Sequence, residues 1–111
     1  MQAKQARSEV VSHETDIRLY AAEKVIDKWG GGQYHYFAEI VDRESDWLPT
    51  AQNPRSSAFG YAQFLNSTWK SVGCVKTTDG YKQIDCAIDY IELRYGTPQK
   101  AVKFHNRHNW Y

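Results

Sequence analysis

Residues 33–64, QYHYFAEIVDRESDWLPTAQNPRSSAFGYAQF, hold the junction between a helix and a long loop, and the reading of that junction decides the fold. Phe37, Ile40 and Val41 precede Glu44 by seven, four and three residues, spacings that put all four side chains on one helical face. A helix over 33–46 is therefore predicted, with a carboxylic acid on its apolar side. Held among apolar side chains, such an acid has its pKa raised by desolvation and keeps a proton to donate near neutral pH. After it, WLPTAQNPRSSAFG carries Pro49 and Pro54 among Thr, Asn, Ser and Gly, a composition that predicts turns and loop. Loops of this length in small domains are usually functional.

Outward from this junction the chain reads as helical. Upstream, Ile17, Tyr20, Ala21, Val25, Ile26 and Trp29 form an amphipathic pattern that starts at Thr15 or Asp16 and stops at Gly30, Gly31 and Gly32. Residues 1–13 show no apolar period and are read as a flexible N-terminal segment, which leaves 14–111 as the folded domain. Downstream, FGYAQF is read as the start of a short helix, and Asn66 or Ser67 as the cap of a turn through Trp69 to Val72. The clearest pattern follows Asp79, where Ile84, Ala87, Ile88, Ile91 and Tyr95 recur at helical intervals before Gly96. Thr97 and Pro98 then suit the N-cap and first turn of a last helix, with Ala101, Val102 and His105 sharing a face. No strand pattern alternates convincingly. The fold class expected is mainly α, one small domain of about five helices with a long active-site loop.

Composition narrows the function. At 111 residues the chain has room for one core. Its net charge of +1 does not suit a protein held to nucleic acid by phosphate electrostatics. The first 55 residues carry net −2 and the rest net +3, so an anionic polymer meets the second half more comfortably. Four Trp, eight Tyr and four Phe supply flat faces that stack on sugars and on bases alike. No run reaches the roughly 18 apolar residues of a membrane span, and the opening MQAKQARSEVVSHETD is too polar for a signal peptide. Cys74 and Cys86 enclose a turn-like stretch and read either as a disulfide, which points to an oxidising compartment, or as two buried thiols. A zinc site drawn from them with His105 and His108 lacks the ligand spacing of a structural knuckle.

Taken together, Glu44, Ser45, Ala51, Asn53, Ser57, Gly60 and Gln63 resemble the signature of soluble-type lytic transglycosylases, relatives of goose-type lysozyme. The closing stretch QIDCAIDYIELRYGTPQKAVKFHNRHNWY is similar to the end of such domains, with His105 and Asn106 where a Tyr-Asn pair is frequent. The resemblance covers about residues 33–111. It implies a lysozyme-like domain, acting as a monomer outside the cytoplasm, in periplasm, secretion or virion, on the glycan strands of peptidoglycan. The bond cleaved would join N-acetylmuramic acid to N-acetylglucosamine, and neither cofactor nor metal is called for.

Glycosidases ordinarily use two carboxylates. Asp42 and Asp46 lie two residues either side of Glu44, positions that point away from it on a helix, so the chain offers no obvious second acid beside it. The resemblance implies that Glu44 acts alone as acid and then base, with a 1,6-anhydro product. Hydrolysis of the same bond, and a wall-binding module without turnover, are the competing expectations. Ser45 is placed either beside the acid or as a hydroxyl closing the helix end, and Gln63 either on a substrate acetamido group or on loop backbone. Gly60 is expected to permit a close approach or a special turn. Tyr61, Tyr95, His105, Asn106 and Tyr111 complete the expected substrate contacts.

Overall fold

A computed structural model describes the backbone of residues 2–108 and the side chains of residues 13–108. The chain is mainly α. Five helices follow in order: α1 Gln2–Trp29, α2 Tyr34–Ser45, α3 Asn66–Ser71, α4 Gly80–Arg94 and α5 Pro98–His108. Two isolated bridges, Gln52 with Phe59 and Phe59 with Phe64, are the extended pairing among the described residues.

One core joins the helices. Ile17, Ala21 and Val25 of α1 meet Phe37, Ile40 and Val41 of α2, Ile84, Ala87, Ile88 and Ile91 of α4, and Ala101 and Val102 of α5. These residues belong to the apolar stripes expected from the spacing, except that Ile26 of the expected α1 stripe is exposed. Trp47, Tyr61, Phe64 and Trp69 reach the same core from the segments between α2 and α4. Helix α2 packs along α5, while α1 lies against α4 and α2.

The ends of α4 and α5 follow from local chemistry. Asp79 caps α4 by accepting from the amides of Tyr81 and Lys82. Gly96, at φ +89°, closes it through its amide to the Ile91 carbonyl at 2.9 Å. Thr97 caps α5, its Oγ1 accepting from the Lys100 amide at 3.3 Å. Cys74 and Cys86 are joined by a disulfide across a separation of 12 residues, tying the segment after α3 to α4.

Three expectations need correction. Helix α1 begins at Gln2, so Thr15 and Asp16 lie inside it and the segment read as flexible is helical in its backbone. The reason is propensity: QAKQARSEVV holds good helix formers and neither Gly nor Pro, and a helix needs no apolar stripe to continue. FGYAQF is not helical, because Gly60 at φ +84° and Gln63 at φ 53° turn the chain back on itself. Neither Asn66 nor Ser67 caps α3. Leu65 occupies that position without a side-chain cap, and the Asn66 amide donates to Ser57 Oγ at 3.0 Å.

Candidate active site

Glu44 sits in the last turn of α2, and the crossing of α2 with α5 gives it a partner. Its Oε1 lies 3.0 Å from Nε2 of His105, with the two side chains 20% and 14% exposed. Burial pushes the Glu44 carboxyl above its ordinary range, and the hydrogen bond with His105 pulls the other way without cancelling it. The acid on the apolar face is thus desolvated and held at one oxygen.

Arg43 ties the neighbouring groups together. Its Nη1 donates to Asn106 Oδ1 at 2.7 Å and faces His105 Nδ1 at 3.3 Å, while Nη2 donates to Glu39 Oε1 at 2.6 Å. Glu44, His105 and Asn106, chosen from separate parts of the sequence, are therefore brought together. Arg43 and Glu39 were not anticipated in the site. Their spacing of four residues announces a helix-surface pair, and nothing local says that α5 packs beside it.

Asp42 is engaged elsewhere, and Asp46 takes part in the helix end through its backbone. Asp42 accepts from Trp47 Nε1 at 2.6 Å and lies 3.9 Å from Arg18, whose guanidinium covers the Trp47 ring at 4.3 Å. Asp46 forms the left-handed C-cap of α2 at φ 52°, and Trp47 follows it at φ 59°. Farther off, Asp85 accepts from Tyr20, and Glu92 pairs with Lys28.

The remaining expected contacts take structural places. Ser45 is buried and donates back to the Val41 carbonyl at 3.1 Å, closing the helix end. Tyr61 is 1% exposed, and burial pushes its hydroxyl up to about 12, so its ring belongs to the core. Gln63 donates to the carbonyls of Ala51 at 2.8 Å and Gly60 at 3.0 Å, satisfying loop backbone. Gly60 lies tight against Gln83, and a Cβ there would collide with the Gln83 side chain. Tyr95 packs edge-on to Tyr90 and tilted on Phe104, in an aromatic group beside α5. Tyr111 lies outside the described residues.

Gln83 organises the loop from α4. It is 2% exposed; its Oε1 accepts from the Tyr61 amide, and its Nε2 donates to the carbonyls of Pro49 and Thr77, all at 2.8 Å. Both ends of the loop after Glu44 are thereby pinned to one side chain. A cavity of about 250 Å³ lies beside α5, lined by Tyr95, Lys100, Lys103, Phe104, Arg107 and His108. Among the described residues no group of three or more His, Cys, Asp or Glu is gathered as metal ligands, and no helix is long and apolar enough to cross a membrane. Comparison of the chain with family models, with curated proteins and with solved structures returns no match.

Proposed function

We propose that the protein is a peptidoglycan lytic transglycosylase, with Glu44 as its single acid and base. The observation that carries this reading is the desolvated Glu44 carboxyl, raised in pKa and bonded at one oxygen to His105. The sequence signature from Glu44 to Gln63 supports the substrate class. Engagement of Asp42 by Trp47 and of Glu39 by Arg43 favours a mechanism with one carboxylic acid.

Protonated Glu44 donates to the glycosidic oxygen as the bond to the muramic C1 breaks, so the leaving sugar departs as an alcohol. The 2-acetamido group of the muramic residue stabilises the positive charge at C1. The Glu44 carboxylate then removes the proton of the muramic 6-hydroxyl, whose oxygen closes on C1. Glu44 is left protonated, and no water is consumed.

The test is Glu44→Gln with mass spectrometry of the muropeptides released from purified wall. Loss of cleavage in the variant and 1,6-anhydro ends from the wild type support the proposal. Undiminished cleavage by the variant removes it, and reducing ends heavier by one water replace it with hydrolysis. A second reading, wall binding without turnover, draws on the cavity beside α5, where Lys100, Lys103 and Arg107 surround aromatic rings and suit an anionic polymer. Wall sedimentation without released products would favour it.

A further inference from the structure

We propose that Arg43 is a positioning residue: it selects the tautomer of His105 and through it the oxygen of Glu44 that carries the acidic proton. The inference rests on Glu44 being the acid. A guanidinium has donors and no acceptor. Arg43 Nη1 donates to Asn106 Oδ1 and lies 3.3 Å from His105 Nδ1, and Nη2 is held by Glu39. Partners on both α2 and α5 therefore fix the guanidinium.

A ring nitrogen facing a donor must be the one without a hydrogen. In the neutral imidazole the hydrogen is then on Nε2, which points at Glu44 Oε1 from 3.0 Å. Oε1 accepts that N–H whether or not Glu44 is ionised, so a protonated Glu44 carries its hydrogen on Oε2. With the other tautomer, Nδ1–H would oppose the Arg43 N–H, and the bare Nε2 would draw the carboxyl hydrogen onto Oε1, toward His105. Arg43 thus keeps the proton off the oxygen that faces histidine. Among the described residues, the charged groups bonded into this set of contacts are Arg43 and Glu39 from α2; Asp42 is turned to Trp47 and Arg18, and Asp46 is at the helix cap.

Imidazole nitrogen chemical shifts test the tautomer directly. In the wild type, about nine-tenths or more of the neutral His105 should be the Nε2–H tautomer, and Arg43→Met should produce a mixture of tautomers. A wild type with hydrogen on Nδ1, or an unchanged tautomer in Arg43→Met, overturns the inference. Activity gives the second arm: Arg43→Met should lower kcat about tenfold on wall with KM little changed. In a His105→Gln background the amide donates to Glu44 and has no tautomer to set, so the same substitution should cost less than about twofold. Equal losses in both backgrounds would mean that Arg43 merely braces α2 against α5 and would sink the proposal. Absence of wall cleavage by the wild type counts against the proposed function, while the chemical shifts still decide the tautomer.

Discussion

Gln83→Leu keeps the volume of a buried side chain and removes three hydrogen bonds, so its cost can be worked from the structure. The Tyr61 amide is in the core, and stranding it costs about 2 kcal/mol; the Pro49 and Thr77 carbonyls, in partly buried bonds, lose about 1 kcal/mol each. Greater burial of apolar surface by leucine returns about 1 kcal/mol. The net loss is about 3 kcal/mol, a large part of the roughly 5–15 kcal/mol expected of a small domain. Urea unfolding followed by far-ultraviolet circular dichroism should show the midpoint falling by about 2 M, taking a slope near 1.5 kcal/mol/M. Gln83→Glu should be worse at neutral pH, because a carboxylate oxygen would replace the Nε2 donor and face two carbonyls. Part of that loss should return on acidification, as the introduced carboxyl takes up a proton and regains a donor. A shift below about 0.5 M for leucine, or glutamate as stable as leucine, would refute the assignment of the loop's anchorage to this amide.

Gly60→Ala should destabilise by about 3 kcal/mol in the same assay, since φ +84° is left-handed and the new Cβ would push Gln83 off the Tyr61 amide. Reduction of the Cys74–Cys86 disulfide should lower stability by about 3 kcal/mol, read from urea midpoints with and without a thiol reductant. Glu44→Gln should flatten part of the stability–pH curve. The folded Glu44 holds its proton to higher pH than the unfolded group, at its ordinary 4.5, so wild-type stability falls as pH rises between those two values. Above that window the variant should be the more stable protein; a wild type that gains stability relative to the variant there would contradict the raised pKa.

The helices were legible where burial and local capping agree. Ile84, Ala87, Ile88 and Ile91 repeat at the helical period after a capping Asp79, and Phe37, Ile40 and Val41 mark the buried side of α2. The first half of α1 was not, because periodicity detects an apolar face and is blind to a helix built on propensity alone. FGYAQF misled for the opposite reason. Its residues are largely buried, yet Gly60 at φ +84° and Gln63 at φ 53° turn the chain, and the Tyr61 amide bonds to Gln83, 22 residues farther on in sequence. At the site, the apolar flank of Glu44 lay in its own helix and could be read. Its pairing with His105 spans 61 residues and depends on how α2 crosses α5, which no local pattern encodes.

That crossing brings Gln33, just ahead of α2, to the first turn of α5, where its Oε1 accepts from the Gln99 amide, and the last turns of both helices to Glu44 and His105. The two helices therefore run in the same sense and end at the same place. Each helix ends in a partial negative charge from its aligned peptide dipoles, worth typically about 0.3–1 kcal/mol against a nearby anion. Glu44 stands near both negative ends, so the backbone itself disfavours its carboxylate and favours the cation Arg43. The same field raises the basicity of the Glu44 carboxylate where it is ionised, and it acts without any further titratable group.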